Sequence, residues 1–149
     1  MAKYAAEMNR TAHATLGVGD IEADATTPRR QKLYDLFLGS EATPADNAFL
    51  WVVDKVTAPG LEAGSTVTPT ALDPADAAAL ADVLENLTTN PTVGARYISI
   101  PLNQRATFRW VAAPGSELIA PASADNGFII LTPTQSAVAV TATALFEEQ

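Results

Sequence analysis

From residue 29 onward the sequence is a succession of short apolar runs with a period of two, each cut off by Pro, Gly or Asn. The clearest lies over 137–146, where Val138, Val140, Ala142, Ala144 and Phe146 take every second position. Such alternation puts one set of side chains on a single face of a half-buried strand. Residues 33–39, 48–57, 96–102, 106–112, 117–120 and 127–132 also read as strands, with a short edge strand at Thr66-Val67-Thr68. In 96–102, Ile98, Ile100 and Leu102 share a face. In 106–112, Phe108, Trp110 and Ala112 share one face while Thr107, Arg109 and Val111 take the other. Residues 40–46, Ala58-Pro59-Gly60 and Pro114-Gly115 supply turns. Seven or eight short strands so separated predict a mainly β fold: one antiparallel β-sandwich, jelly-roll-like, over 29–149.

Two segments depart from that pattern. Asp73, Pro74 and Asp76 suit the cap and first turn of a helix, and Ala77, Leu80, Leu84 and Leu87 follow as one apolar stripe. The spacing predicts a short helix over 74–87, stopped by Asn90-Pro91. Residues 1–28 lack sustained alternation and read as an amino-terminal arm, with one short strand over 12–18.

Composition removes most kinds of chemistry. Seventeen acidic against nine basic residues give a net charge of −8, which disfavours a nucleic-acid partner because phosphate binding needs clustered Lys and Arg. There is no cysteine, hence no disulfide, thiol nucleophile or zinc–thiolate site, and His13 is the lone imidazole. The six serines, Ser40, Ser65, Ser99, Ser116, Ser123 and Ser136, have only His13 as a base, and none sits in a nucleophile elbow. Gly17-Val18-Gly19 lacks the third glycine of a dinucleotide site and reads as a turn. Asp20, Glu22 and Asp24 alternate, so one strand face carries three carboxylates, either a calcium-type oxygen set or a solvated, self-repelling edge. Glu147-Glu148 reads as a solvated tail. Neither catalysis, metal nor cofactor is expected. Residues 126–146 carry no charge, yet Pro133, Gln135 and Ser136 split them into two strands, so no membrane span is expected. The amino terminus lacks the apolar core of a signal peptide, so synthesis in the cytoplasm without secretion is expected.

What remains points to contact surfaces. Charged residues are 17% of the chain against roughly 25% for an average domain, and 29 Ala with 17 Thr build closely apposed faces. The sparse cations, Arg29, Arg30 and Lys32, then Arg105 and Arg109 with Arg96 nearby, are candidate intersubunit partners. Tyr4 and Met8 on the arm are candidate attachment residues. Phe49, Trp51, Phe108 and Trp110 suit either a buried core or a sugar-stacking platform.

Four stretches carry a resemblance: Lys32-Leu33-Tyr34-Asp35; Gly39-Ser40-Glu41-Ala42-Thr43-Pro44-Ala45-Asp46-Asn47-Ala48; Ala71-Leu72-Asp73-Pro74-Ala75-Asp76-Ala77-Ala78; and 101–115, PLNQRATFRWVAAPG. With them the chain, from about residue 12 onward, resembles small virion proteins of tailed bacteriophages, in particular head decoration (cement) proteins. The resemblance implies a jelly roll seated on the capsid exterior as a homo-oligomer, with trimers expected. It implies copies of itself and the major capsid protein as partners, and it carries over no contact residues. A carbohydrate-binding sandwich using Trp51 or Trp110, and a minor tail or neck protein, stand as alternatives.

Overall fold

In a computed structural model of the protein, which describes residues 1–57, 62–133 and 137–149, the alternating runs pair as two six-stranded sheets. The first holds β1 (Ala2–Thr11), β3 (Gln31–Ala42), β6 (Thr70–Ala71), β9 (Phe108–Val111), β10 (Leu118–Ala120) and β12 (Ala139–Glu148). The second holds β2 (Gly19–Glu22), β4 (Ala48–Val56), β5 (Ala63–Thr66), β7 (Asp82–Thr89), β8 (Val93–Asn103) and β11 (Gly127–Leu131). The turn expected at Ala58-Pro59-Gly60 lies outside the described residues.

The pairing is nested. β1 pairs with β12, β2 with β11, β3 with β9 and β10, and β4 with β8, all antiparallel. A chain that runs out through four strands and returns through their partners is a long hairpin wound on itself, which is a jelly roll. β5, β6 and β7 are an excursion between its fourth and fifth strands, with β7 extending the second sheet beside β2 and β6 touching β1.

Alternation places the core. Tyr4, Ala6 and Met8 of β1, Leu36 and Leu38 of β3, and Val140, Ala142, Ala144 and Phe146 of β12 face Ile21, Trp51, Val53, Phe128 and Ile130 across the roll. The second sheet also covers its opposite face. Val52, Val56, Leu87, Ile129 and Leu131 form a separate cluster there. β11 is therefore buried on both sides, which is why it reads as a continuous apolar run, Phe128-Ile129-Ile130-Leu131.

Three expectations are corrected. No helix forms over 74–87: Asp73 caps only a turn, accepting from the Ala75 amide at 2.9 Å, and Asp82–Thr89 is strand β7. The expected arm is β1, ten residues in unbroken register with β12 from Ala2↔Glu148 to Thr11↔Ala139. Residues 12–18 are not a strand but the connection from β1 to β2. Strands from residues 1–28 thus sit in both sheets, and the boundary expected at 28/29 divides nothing. The tail is corrected too. Glu148 is 3% exposed and accepts from the Leu80 amide at 3.0 Å and the Ala81 amide at 2.6 Å.

Candidate functional site

The outer face of the first sheet is built on β3. Leu36 and Leu38 point into the roll, so Asp35, Phe37 and Gly39 point out. β9 pairs alongside with Asp35↔Val111 and Phe37↔Arg109 in register, which puts Arg109 over both acid and ring. Its Nε donates to Asp35 Oδ1 at 3.0 Å and its Nη2 to Asp35 Oδ2 at 2.6 Å. The guanidinium carbon lies 4.7 Å from the Phe37 ring centroid. Asp35 is 3% exposed whereas Arg109 stays largely open to solvent. The hydrogen bonds it donates to Asp35 raise the guanidinium pKa above its ordinary value, so Arg109 keeps its charge at every working pH.

Beside this fork runs a groove of about 550 Å³, lined by Phe37, Gly39, Thr107, Phe108, Arg109 and Thr143 among others. Gly39 keeps its floor open: a Cβ there would meet Thr107 Cγ2 at 3.3 Å. Thr141 closes one end by donating its hydroxyl to Glu41. The surface offers apolar area, methyl groups and one oriented cation.

The sequence-derived candidates scatter. Arg109 belongs to this face, and Arg105 is exposed in the turn before β9, its amide donating to Asn103 Oδ1 at 2.9 Å. Lys32 stands between Ile119 and Glu147 across the ladder of the first sheet. Arg29 pairs with Glu148 Oε2 at 3.6 Å, and the Arg30 main chain exchanges hydrogen bonds with Gln149. Tyr4 and Met8 are not attachment residues. Both are fully buried, Tyr4 donating its hydroxyl to the Ala77 carbonyl at 3.0 Å. Trp51 and Phe49 are core as well, and Trp110 is partly buried against it, so no platform of four aromatics exists. Asp35, Phe37 and Val111 are the contributors missed by sequence. A lone acid in the apolar run Leu33-Tyr34-Asp35-Leu36-Phe37 was the available signal, because such an acid must find a cation.

Other candidate chemistry resolves into structure. His13 Nδ1 accepts from the Thr15 and Leu16 amides at 3.2 Å, shaping the turn that follows β1. Asp24 lies beyond β2 and accepts from the Thr26 and Thr27 amides. Asp20 and Glu22 share a face, but the face is buried, not solvated. Among the described residues no three His, Asp or Glu side chains converge as a metal site, and Ser136 lies outside those residues. No family model, curated protein or solved structure matches this chain.

Proposed function

We propose that this protein is a non-enzymatic virion structural protein, a capsid decoration (cement) protein. It binds the outside of a phage head and stabilises contacts between major capsid subunits. The observation that supports this reading is the distribution of exposed apolar surface. Phe37, Val93, Tyr97, Phe108, Val111 and Ile119, each 36–55% exposed, gather along β3, β8, β9 and β10. The chain passes from the second sheet to the first between β8 and β9, and the Tyr97 hydroxyl of β8 reaches the Ile119 carbonyl of β10 at 3.4 Å. Exposed apolar side chains in this number, on a chain so poor in charge, are the kind of surface that association covers. The partners are copies of the chain itself, as a trimer, and the major capsid protein. Trimeric presentation lets three weak capsid contacts act together, and a ligand that binds only the assembled shell stabilises it by mass action.

Light scattering of the isolated protein at tens of micromolar is expected to give about three times the 15.6 kDa chain mass. A Phe108→Glu/Val111→Glu variant keeps the fold, since both positions are open to solvent. It is expected to run at 15.6 kDa and to bind purified heads at least about tenfold more weakly, or 1.4 kcal/mol. A wild-type protein that is monomeric and fails to sediment with heads would sink the proposal. Band stoichiometry in purified virions separates a shell position from a tail or neck position.

A further inference from the structure

β2 is an interior strand, flanked by β7 and β11. Ile21 faces the core of the roll, and a Cβ on Gly19 would run into Met8. Asp20 and Glu22 therefore project to the opposite face, beside the cluster of Val52, Val56, Leu87, Ile129 and Leu131. They are 1% and 3% exposed. Asp20 Oδ1 accepts from the Leu84 amide at 3.2 Å. Asp20 Oδ2 and Glu22 Oε1 are buried with no hydrogen-bond partner, and so is Glu62 Oε2 in the segment that leads into β5.

The groups facing this pair are acids. Glu62 approaches from the β5 side, Asp82 from β7, and Asp125 from the turn before β11. Asp24 follows β2 and faces Asp82. On β4, Asp54 is already held by Arg96 of β8 at 2.9 Å. No ion pair among the described residues reaches Asp20, Glu22, Glu62, Asp82 or Asp125. Two adjacent carboxylates buried this deeply, with no basic side chain paired to them, are strongly disfavoured as anions, so the pair is accommodated as neutral acids.

We propose that Asp20 and Glu22 form a proton-held latch: as neutral acids they seat the β5 segment on the second sheet, and their ionisation at alkaline pH releases that segment from the folded roll. β5 is the element poised to leave. It is an edge strand of four exposed residues whose register on β7 is irregular, with Glu62 next to its first residue. Ionised Asp20 and Glu22 repel Glu62, and the loss falls on the weakest ladder. Burial raises the Asp20 carboxyl to about 7. Burial, then the neighbouring Asp20 charge, raises Glu22 to about 9. Both groups bind protons more tightly folded than unfolded. Their stabilisation is complete below the ordinary carboxylate range and is lost as pH rises from there through 7 to 9.

The test compares wild type with Asp20→Asn/Glu22→Gln between pH 6 and pH 9. Wild-type Tm is expected to fall by at least about 5 °C. Hydrogen-exchange protection of the β5–β7 amides, including Val67 to Val83, is expected to fall at least tenfold while β3–β12 amides hold. The variant is expected to show neither change. A flat wild-type profile, or an equal fall in the variant, overturns the latch. Should the variant not fold, difference infrared spectroscopy of wild type decides. A protonated-carboxyl band present at pH 6 and gone at pH 9 upholds the latch, and its absence at pH 6 overturns it. Calcium that restores the pH 6 Tm at pH 9 also overturns it, by making cations and not protons the counterpart of the pair.

Discussion

Deleting residues 2–10 is expected to leave no cooperatively folded protein. The sequence reading as an arm leads to the opposite expectation, in which the truncated chain melts almost as before. β1 occupies an interior place in the first sheet, between β12 and β6. Without residues 2–10 β12 loses nine consecutive cross-strand partners, and its inner face of Val140, Ala142, Ala144 and Phe146 loses Tyr4, Ala6 and Met8. Tyr4 and Met8 are both fully buried, and burial of two such side chains stabilises by about 5 kcal/mol. The stripped ladder also leaves backbone groups of β12 unpaired beside the core, at a cost of about 1–3 kcal/mol for each one that stays dry. Arg10, whose guanidinium bonds the Gly17 and Leu87 carbonyls, goes as well and takes with it a tie between the two sheets. The sum reaches the whole stability of an ordinary domain, about 5–15 kcal/mol. Circular dichroism and thermal melting check it directly: a truncated protein with native spectrum and unchanged Tm would return β1 to the status of an arm.

The roll was legible where one strand face is apolar and the other is not. β12, β3, β4 and β8 fall within a few residues of the ranges read from the sequence, and Val138 to Phe146 carries that contrast plainly. β1 hid itself with alanine. Ala5 on its outer face and Ala6 on its inner face look alike, and only Tyr4 and Met8 mark the buried side. The false helix has a definite cause. Leu84 and Leu87 lie three apart, yet both pack on the outer cluster of the second sheet, because Asn86 sits at φ 50° and shifts the strand's parity. A bulged strand thus imitated a helical stripe. Glu148 was misread for another reason. Its partners, Leu80, Ala81 and Arg29, lie far away in sequence, and no local pattern announces backbone donors from another segment. The candidate face was half legible. Arg109 was singled out because cations are scarce, whereas Asp35 and Phe37 needed the β3–β9 register to be placed beneath it.

Gly127→Ala is expected to be the most damaging glycine-to-alanine change among the described residues. Gly127 opens β11 opposite Glu22 of β2 and Val56 of β4. A Cβ there would lie 1.9 Å from the Ile21 carbonyl oxygen and 2.8 Å from Glu22 Cα. These are backbone atoms of an interior strand, so no side-chain rotation relieves the clash and the two strands must part. Such overpacking costs about 3 kcal/mol, at the upper end for inserted methyl groups. In a domain of this length that lowers Tm by roughly 10 °C. Gly39→Ala is the control, because its Cβ would meet only a methyl group, Thr107 Cγ2, at 3.3 Å, on an open groove. That change is expected to shift stability by less than about 1 kcal/mol, within the range of surface substitutions that touch nothing critical. Differential scanning calorimetry of the two variants against wild type decides the matter. Equal Tm values for Gly127→Ala and Gly39→Ala would mean that β2 and β11 are not packed as closely as the jelly-roll register requires. A large drop confined to Gly127→Ala fixes that register at the strand pair carrying Asp20 and Glu22.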